Sequence, residues 1–560
     1  MQKKTGGNRE NRGIDAASMT GCTAPTASPF SEPSRHTMNP GPALCTCLRF
    51  LCYLLFNCVL GTLALAAADG DAEAAHGRWP AEKAAAWYAQ QPWLVGCNFL
   101  PSTAVNDVEM WQRETFDPAT IERELGWANQ LGFNSVRVFL NFVVWREDAA
   151  GLKERFARFL ELAHKHGLAV MPILFDDCNF ADRVARAGQQ PEPEPGIHNS
   201  QWVSSPPLKL VTNAAAQTQL ERYVKDMVGT FGRDERLLLW DLYNEPGNSK
   251  LGNRSLPLVE AAFRWARALE PVQPLTMGVW GAPAEISRRQ LELSDVISFH
   301  AYGSLESLKR GMPHLRSFGR PVICTEWMAR TLDSRFESHL PFFKAERIGC
   351  WNWGLVSGRI QTCFPWGSPR GAAMPQFWFH DILRQDGTPF SAPEVRLIKG
   401  LTGALPPVTW RPLLPTSEKE KASWLYTVEK PAEDWFKPSA NGSGWKSGLA
   451  PFGVEEISLS RRPATVWTNA ELWLRREFTL PAAHFAAVAL SMHHDEDVEV
   501  YINGVLAAKA TGYTASYEPL LLRSEALAVL RPGRNVLAAH CRQKLGGQYF
   551  DLGIDGFSGP

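Results

Sequence analysis

Between residue 92 and about residue 400, short apolar runs alternate with longer stretches in which apolar residues recur at helical spacing. The apolar runs are continuous rather than alternating, which is typical of parallel strands covered by helices on both faces. Eight such runs over roughly 300 residues predict an α/β fold, a (β/α)8 barrel. A doubly wound sheet is the alternative, but it needs a glycine-rich phosphate loop after the first strand, and Gly96–Pro101 lacks that pattern. The predicted strands are Leu94–Asn98, Ser135–Leu140, Ala169–Phe175, Leu237–Leu242, Leu275–Val279, Val296–His300, Val322–Thr325 and Gly349–Trp353. The predicted helices include Pro118–Leu131, Leu152–His166, Ala215–Phe231, Leu256–Leu269 and Asp333–Ala345.

The pattern changes after residue 404. Residues 405–421 are rich in proline and charge and are predicted to be a linker between a barrel of residues 80–404 and a second domain of residues 422–558. That second part contains short β-type segments, and Asn503-Gly504 between two of them is a strong hairpin signal. It is predicted to be an all-β sandwich of the jelly-roll type. Its predicted strands are Glu471–Thr479, Ala487–Ser491, Val498–Ile502, Val505–Ala510 and Val536–His540.

The N-terminus precedes both domains. Residues 1–48 are rich in Gly, Pro, Ser, Thr and Asn without periodicity, so we predict that they are disordered, or that this N-terminus is mis-annotated and the true start is Met38. Residues 49–68 combine a basic residue, an apolar run and an Ala-x-Ala exit, which predicts a cleaved signal peptide. The chain would then be secreted or periplasmic without stable membrane insertion. An uncleaved membrane anchor is the alternative, because the run is near the lower spanning limit.

Composition narrows the range of partners. The chain has 560 residues, enough for two or more domains, and its 58 basic and 58 acidic residues give no net charge. No basic stripe is evident, so nucleic acid is not an expected partner. The 21 tryptophans are unusual, and sugar rings are flat apolar faces that can stack on them. Six cysteines follow the predicted signal peptide without C-x-x-C spacing, so they are predicted to fill the core, with an inter-strand disulfide as the alternative. They are Cys97, Cys178, Cys324, Cys350, Cys363 and Cys541.

Two glutamates end predicted buried strands: Glu245 in Asn244-Glu245-Pro246, and Glu326 in Thr325-Glu326-Trp327. A carboxylate at the end of a buried strand loses hydration, a cost usually tolerated where the charge is used. Active sites of (β/α)8 barrels lie at the C-terminal strand ends, where other polar and aromatic residues of this chain also gather. The strand-end residues are Asn98, Arg137, Asn141, Asp176, Asp177, Asn244, Glu245, His300, Tyr302, Glu326 and Trp353.

Two carboxylates at one barrel mouth suggest acid/base and nucleophilic chemistry on a glycosidic bond. We assign Glu245 as the acid/base, with a raised pKa when it carries the proton, and Glu326 as the nucleophile. Arg137 is expected to keep Glu326 ionised and Tyr302 to orient it. Asn244 is positioned to bind a sugar hydroxyl.

The residues predicted to bind substrate are Asn98, Arg137, Asp177, His198, Asn244, His300, Tyr302 and Trp353. Trp353 is expected to form the floor on which a sugar stacks, with Trp280, Trp327 or Trp366 as further candidates. The sequence leaves three roles open for Asp176 and Asp177: they could clamp the substrate, bind a metal as a pair, or cap a helix. The insertion 179–210 is expected to form one wall of the cleft, with contacts to substrate from His198 and Trp202 or packing alone. Two of these residues have an alternative to substrate binding. Arg137 could form a salt bridge that caps the barrel, and His300 could be a structural histidine.

Residues 92–400 resemble the clan A glycoside hydrolases, especially family 5, the cellulase and mannanase group. That resemblance implies a retaining mechanism with carboxyls about 5 Å apart. The chain departs from the family at the third strand end, where a histidine is usual and Phe175-Asp176-Asp177-Cys178 stands here. The matching residues are Arg137, Asn244-Glu245-Pro246, His300-x-Tyr302, Glu326 and the tryptophan of the eighth strand.

The second domain resembles the galactose-binding-like sandwich of family 2 glycosidases, which place it before their barrel. The likeness lies in Trp473–Arg476, His494–Gly504 and Gly533–Leu537. Either a carbohydrate-binding module or a domain that braces the barrel is consistent with it. The acidic run Asp495–Asp497 is expected to be a solvated loop rather than a calcium site, so no metal site is predicted.

Together these features predict an exported retaining β-glycoside hydrolase without a cofactor. Its partner would be a β-glycan of the mannan, xylan or glucan type, or the corresponding oligosaccharides. The alternatives are a family-2-like exo-β-glycosidase and a barrel that binds glycans without cleaving them. The sugar, endo or exo action and the oligomeric state stay open.

Overall fold

The computed structural model describes residues 77–180, 183–405, 409–455, 462–482, 485, 487–514 and 516–558. The predicted disordered segment 1–48 and the predicted signal peptide 49–68 lie outside the described residues. Within the described ranges, no helix is both long and apolar enough to cross a membrane.

Eight parallel strands form the predicted barrel. In spatial order the strands run β5-β4-β3-β2-β1-β8-β7-β6. The ring closes between the two ends of that order through Val279, whose backbone N–H donates to Ser298 and whose carbonyl accepts from His300. The fold class predicted from the apolar runs is confirmed. The strands are β1 (Val95–Asn98), β2 (Ser135–Phe139), β3 (Ala169–Asp176), β4 (Trp240–Asn244), β5 (Leu275–Thr276), β6 (Ile297–Ala301), β7 (Val322–Trp327) and β8 (Gly349–Trp353).

Helices surround the barrel and bury their apolar faces against it. Several begin at a side chain that accepts a backbone N–H of the first turn, as Asp117 does for Thr120 and Asp148 for Gly151. The five predicted helices are present, together with others that the sequence analysis does not name. The helices are α1 (Ala81–Gln90), α2 (Asp107–Trp111), α3 (Pro118–Gln130), α4 (Phe142–Glu147), α5 (Ala149–Lys165), α6 (Leu208–Val211), α7 (Gln217–Phe231), α8 (Leu256–Arg267), α9 (Ala284–Leu293), α10 (Leu305–Arg316), α11 (Phe336–Ala345), α12 (Ala392–Thr402) and, in the second domain, α13 (Ser524–Val529).

Two largely antiparallel sheets form the second part, an all-β arrangement as the sequence predicts. One has the order β11-β10-β14-β19-β16-β17, and the other has the order β13-β12-β20-β15-β18, with β9 paired to β20. Asn503 and Gly504 both have positive φ, 50° and 86°, which is the conformation that a tight hairpin turn needs. The strands are β9 (Thr409–Leu414), β10 (Ser423–Thr427), β11 (Lys446–Leu449), β12 (Phe452–Gly453), β13 (Thr465–Val466), β14 (Glu471–Leu480), β15 (Ala487–Asp495), β16 (Asp497–Ile502), β17 (Val505–Ala510), β18 (Glu518–Leu521), β19 (Gly533–Arg542) and β20 (Tyr549–Ser558).

Strand β9 lies inside the segment that the sequence predicts to be a linker. It is an edge strand, where a proline such as Pro412 does not interrupt a ladder on both sides. The proline content that suggested a linker is therefore compatible with a strand. The sandwich also contacts the barrel helices, since the backbone N–H of Leu521 donates to Glu337 of α11 at 3.3 Å.

The six cysteines of the described residues are buried free thiols. Cys324 and Cys350 lie opposite each other on β7 and β8 without forming a disulfide. The core-filling interpretation holds for these two residues and for Cys97. Cys178 differs, because it lines the cavity described next.

Candidate active site

A cavity of about 600 Å³ lies at the C-terminal ends of the barrel strands. This is the edge of the barrel at which the sequence predicts the site. Its volume lies in the range of small-ligand pockets. The residues that line it are Phe139, Cys178, Asn179, Phe180, Asn199, Trp202, Asn244, Glu245, Asn248, Ser249, Trp280, His300, Tyr302, Glu326, Trp353 and Trp366.

Glu245 follows β4 directly and has a φ of 44°, in the left-handed region. Non-glycine residues adopt that conformation rarely, and such strain concentrates at functional sites. Its Oε1 lies 2.9 Å from Nδ1 of His300. Its Oε2 accepts from Nδ2 of Asn248 at 2.6 Å and from the thiol of Cys178 at 3.2 Å. The carboxyl group is therefore held by three neighbours and is only slightly exposed.

The same neighbours determine the pKa of Glu245. Burial acts to raise this pKa, but the hydrogen bonds from His300, Cys178 and Asn248 and the charge of His300 outweigh burial and lower it. The prediction of a raised pKa is therefore wrong for the structure described here. The sequence shows the apolar run that buries the residue but not the three donors that converge on it.

Glu326 is the second carboxyl group and is 4% exposed. Its Oε1 accepts from Nη1 of Arg137 at 2.7 Å, and its Oε2 accepts from the hydroxyl of Tyr302 at 2.8 Å. His300 lies between the two glutamates, with Nδ1 3.5 Å from Oε2 of Glu326. The structure thus places Arg137 and Tyr302 against Glu326, the contacts that the sequence analysis expects.

The two glutamates are close neighbours. One carboxylate oxygen of each, together with a ring nitrogen of His300, forms a set whose atoms lie within 4.8 Å of one another. Such a set has the composition of a metal site. However, these oxygens already accept hydrogen bonds from protein donors, and the guanidinium of Arg137 neutralises Glu326. The arrangement therefore fits proton transfer and nucleophilic attack better than metal binding.

Arg137 is completely buried and uses all five of its N–H groups. Nε and Nη2 donate to Oδ2 of Asp241 at 3.0 and 2.7 Å. Nη1 also donates to Oδ1 of Asn98 at 2.7 Å, and Nη2 to Oδ1 of Asn244 at 2.7 Å. Burial acts to lower the pKa of Arg137, but Asp241 and Glu326 raise it above its ordinary value.

Arg137 and Asn98 do not line the cavity, so the prediction that they bind substrate is corrected. Both lie in the layer beneath it, where Asn98 is buried and donates to the backbone carbonyl of Thr325 at 2.9 Å. Their side chains point into the barrel, where polar groups of the neighbouring strands pair with their hydrogen-bond donors and acceptors. Asp241 completes this layer and was missed in the sequence. The signal was present, since an aspartate inside the apolar run Leu237–Leu242 needs a buried partner.

The end of β3 has a structural part in the site. Asp177 accepts from the hydroxyls of Tyr243 and Ser255 at 2.6 Å each and from the backbone N–H of Gly247 at 2.7 Å. It is buried behind the cavity, where burial raises its pKa to about 6. The prediction that Asp177 binds substrate is thus corrected, because its three acceptor contacts are used by β4 and by the segment after Glu245, which Asp177 holds in place.

Asp176 orients the residues on either side of it. Its Oδ1 accepts from Nδ2 of Asn244 at 2.9 Å and from the backbone N–H of Cys178 at 2.9 Å. Its Oδ2 accepts from Nε1 of Trp202 at 2.7 Å. Because Arg137 binds Oδ1 of Asn244 and Asp176 binds Nδ2, the Asn244 amide has one orientation. Nδ2 also lies 3.7 Å from Sγ of Cys178, a weak acceptor at the cavity wall.

The predicted aromatic contacts divide into two groups. Trp202, Trp280, Trp353 and Trp366 line the cavity. Trp327 is buried behind it, with its ring stacked on His339 at 5.9 Å. This follows from strand alternation, because neighbouring residues of β7 face opposite sides and Glu326 faces the cavity.

His198 also does not reach the cavity. It is 3% exposed, and its Nδ1 lies 2.7 Å from the carbonyl oxygen of Phe364. Burial lowers its pKa to about 4. The prediction that His198 contacts substrate is corrected: its loop packs against another loop, a contact that no local sequence signal reveals. Asn244, His300, Tyr302 and Trp353 do line the cavity, as do both glutamates.

The comparisons with known proteins yield structural similarities alone. No family model matches the chain, and no curated protein matches its sequence. A GH5_18 protein of Streptomyces cattleya, solved with GlcNAc, is 14% identical, with 56% of this chain and 79% of that chain covered at a TM-score of 0.39. The endo-β-1,4-mannanase of Thermotoga petrophila is 11% identical, with 69% and 95% covered at a TM-score of 0.40. A calcium-binding mutant of β-glucuronidase 2 of Bacteroides uniformis is 9% identical, with 84% and 65% covered at 0.37.

These solved structures include the GH5 group that the strand-end motifs resemble. The identities and TM-scores are low. The function proposed for this chain therefore rests on the geometry of its own site.

Proposed function

We propose that the chain is a retaining glycoside hydrolase that cleaves β-linked glycans or oligosaccharides by double displacement. One observation carries the proposal: carboxylate oxygens of Glu245 and Glu326 lie within 4.8 Å of each other at one cavity wall. Retaining enzymes have carboxyl groups about 5 Å apart, whereas inverting enzymes separate them by roughly 6.5–9.5 Å to admit a water. The β configuration, and the mannan, xylan or glucan class, are supported by the resemblance of the strand-end motifs.

In the first step Glu326 attacks the anomeric carbon and Glu245 gives a proton to the departing glycosidic oxygen. The bond from carbon to the leaving oxygen breaks as the bond from carbon to the Glu326 oxygen forms. Arg137 and Tyr302 orient the attacking carboxylate from its two oxygens. The N–H of Asn244 that faces the weak acceptor Sγ of Cys178 at 3.7 Å can instead donate to a sugar hydroxyl next to the reacting carbon.

Nδ1 of His300 and Oε1 of Glu245 lie 2.9 Å apart, so the two groups are placed to exchange the proton that this step needs. A bound sugar excludes water from Glu245, and lost hydration disfavours the carboxylate, so the proton moves to Glu245. This accounts for a general acid whose pKa is lowered before substrate binds.

In the second step a water molecule gives a proton to Glu245 and attacks the anomeric carbon, which releases Glu326. The negative charge of Glu326 is absent in the covalent intermediate, so the pKa of Glu245 falls and Glu245 acts as a base. The sugar then leaves with its original configuration.

The test is a comparison of two variants on 4-nitrophenyl β-monosides, biosides and triosides of mannose, glucose and xylose. Glu326→Gln should lose nearly all activity. Glu245→Ala should lose about 10²–10⁴-fold on substrates with poor leaving groups, much less on activated ones, and azide should accelerate its turnover. Glu154→Gln, an exposed glutamate on α5, is the matched control and should behave as wild type.

Wild-type inactivity on every sugar of the panel would remove the hydrolase proposal. It would favour the alternative of a glycan-binding barrel. Full activity of Glu326→Gln would leave the hydrolase in place but assign its nucleophile elsewhere.

A further inference from the structure

Two segments join over one side of the cavity. Segment 190–202 follows β3, and segment 357–372 follows β8. We call these two segments together the strap. The backbone N–H of Asn199 donates to Ile360 at 2.9 Å, and that of Gly371 donates to Pro195 at 2.7 Å. The strap therefore crosses the barrel mouth above β1 and β2, which lie between β8 and β3 in the ring.

Side chains reinforce this junction. Gln361 accepts from the backbone N–H of Gly196 at 2.9 Å and donates to the carbonyl of Glu194 at 2.8 Å. The hydroxyl of Ser368 donates to the carbonyl of Gly196 at 2.6 Å, and His198 contacts the carbonyl of Phe364 at 2.7 Å. Partly or fully buried bonds of this number hold a loop pair in one conformation more firmly than exposed ion pairs do.

The strap is also attached to the loop after β1. The backbone N–H of Arg359 donates to the carbonyl of Ser102 at 3.0 Å. Gly358 lies so close that a Cβ there would come within 2.5 Å of the Ser102 backbone. Nδ2 of Asn106 donates to the carbonyl of Gln201 at 2.9 Å. Both segments of the strap are therefore hydrogen-bonded to the residues that follow β1, as well as to each other.

Beneath the strap an aromatic wall closes the cavity. Trp202 lies 4.9 Å from Phe139 and 6.0 Å from Trp353, measured between ring centroids. Trp202 is 1% exposed, and its Nε1 is held by Asp176. Three rings in mutual contact leave no groove through which a sugar chain could continue in this direction.

The position of the acid/base identifies which end of a substrate meets this wall. The leaving group lies beside Glu245, toward Asn248 and Trp280, which follow β4 and β5. The rest of the donor sugar must extend away from the leaving group, toward the opposite side of the ring. In the strand order β1 and β8 are opposite β4 and β5, so the non-reducing side faces the strap.

We infer that the site accepts only the non-reducing end of a chain and releases sugars from that end. The inference rests on the proposed hydrolase function and specifies its mode of action, which the sequence leaves open. A substrate with further sugars on the non-reducing side would collide with Trp202 or the strap. Sugars on the leaving-group side meet no such barrier from the strap.

The test uses 4-nitrophenyl β-monosides, biosides and triosides of mannose, glucose and xylose, with timed separation of the first products. On the sugar that is cleaved, nitrophenol release from the monoside should exceed that from the trioside by about tenfold or more in kcat/KM. The trioside should first lose a single terminal sugar. The variant Trp202→Ala should raise the ratio of direct nitrophenol release from the bioside to that from the monoside.

Glu192→Ala is the matched control, since it removes an exposed ion pair of the strap, to Arg359, and should leave the product pattern unchanged. Release of nitrophenol together with an intact trisaccharide as first products would overturn the inference while leaving the hydrolase proposal intact. Cleavage of triosides without cleavage of monosides would do the same. Inactivity on every substrate would overturn both.

Discussion

Replacing Arg137 by lysine tests whether the buried charge network positions Glu326. Arg137 donates five hydrogen bonds to Asp241, Glu326, Asn98 and Asn244, and it is completely buried. A lysine ammonium has three donors at a single point and keeps its charge. The substitution therefore changes geometry and hydrogen bonding while the charge balance is preserved.

The magnitude follows from counting donors. At least two of the five bonds are lost, and each buried group left unpaired costs about 1–3 kcal/mol, so the free energy of unfolding should fall by about 2–6 kcal/mol. The bond from Nη1 to Glu326 is charge-assisted, and its loss is worth about 1.5–3 kcal/mol. This corresponds to a decrease in kcat/KM of roughly tenfold to 150-fold.

Urea unfolding followed by tryptophan fluorescence measures the first effect, and kcat/KM on an activated aryl glycoside measures the second. Arg289→Lys is the matched control. Its guanidinium on α9 is buried and bound to Glu260 and Glu292 at 2.8 and 2.9 Å, away from the cavity. The control should lose stability but not activity. A variant at Arg137 with unfolding free energy within about 1 kcal/mol of wild type and unchanged kcat/KM would refute the reasoning.

Three further predictions concern single groups. Tyr302→Phe removes the hydroxyl bound to Glu326 at 2.8 Å, and kcat should fall by roughly ten- to 150-fold with a smaller change in KM. A kcat equal to that of wild type would show that this contact does not orient Glu326. Cys178→Ala removes the thiol hydrogen bond that lowers the pKa of Glu245, so this pKa should rise and the alkaline limb of the pH profile of kcat/KM should move to higher pH. An unchanged alkaline limb would show that the thiol does not act on Glu245. Burial raises the pKa of Asp381 to about 7 in the folded chain, against about 4 when unfolded, so its contribution to stability is lost as pH rises through 7. The variant Asp381→Asn should therefore gain stability over wild type between pH 4 and 7, by up to about 4 kcal/mol, and a pH-independent difference in urea midpoints would contradict this.

Much of the barrel could be predicted because its signal is local. Continuous apolar runs identify buried parallel strands, and the rule that sites lie at their C-terminal ends then places Glu245, Glu326, His300 and Tyr302 together. Strand alternation would also have excluded Trp327, which follows an inward-facing glutamate. These outcomes depend on spacing along the chain.

The remaining features depend on contacts between distant residues. The bond between Arg137 and Asp241 joins positions 104 residues apart. The bond between Asn199 and Ile360 joins the loop after β3 to the loop after β8. No periodic pattern marks such contacts. The lowered pKa of Glu245 has largely the same origin, since two of its three donors, His300 and Cys178, come from other strand ends. Strand β9 was missed because Pro412 and the prolines on either side of the strand indicate a loop unless the strand lies at an edge.

The central claim is that Glu326 forms a covalent bond to the sugar. The most direct measurement inactivates the enzyme with a 2-deoxy-2-fluoroglycosyl fluoride of the sugar that it cleaves and locates the label by mass spectrometry of the digested protein. The account predicts one sugar per chain, attached to Glu326. A label on another residue would contradict it, as would an active enzyme that is never labelled and yields the inverted anomer.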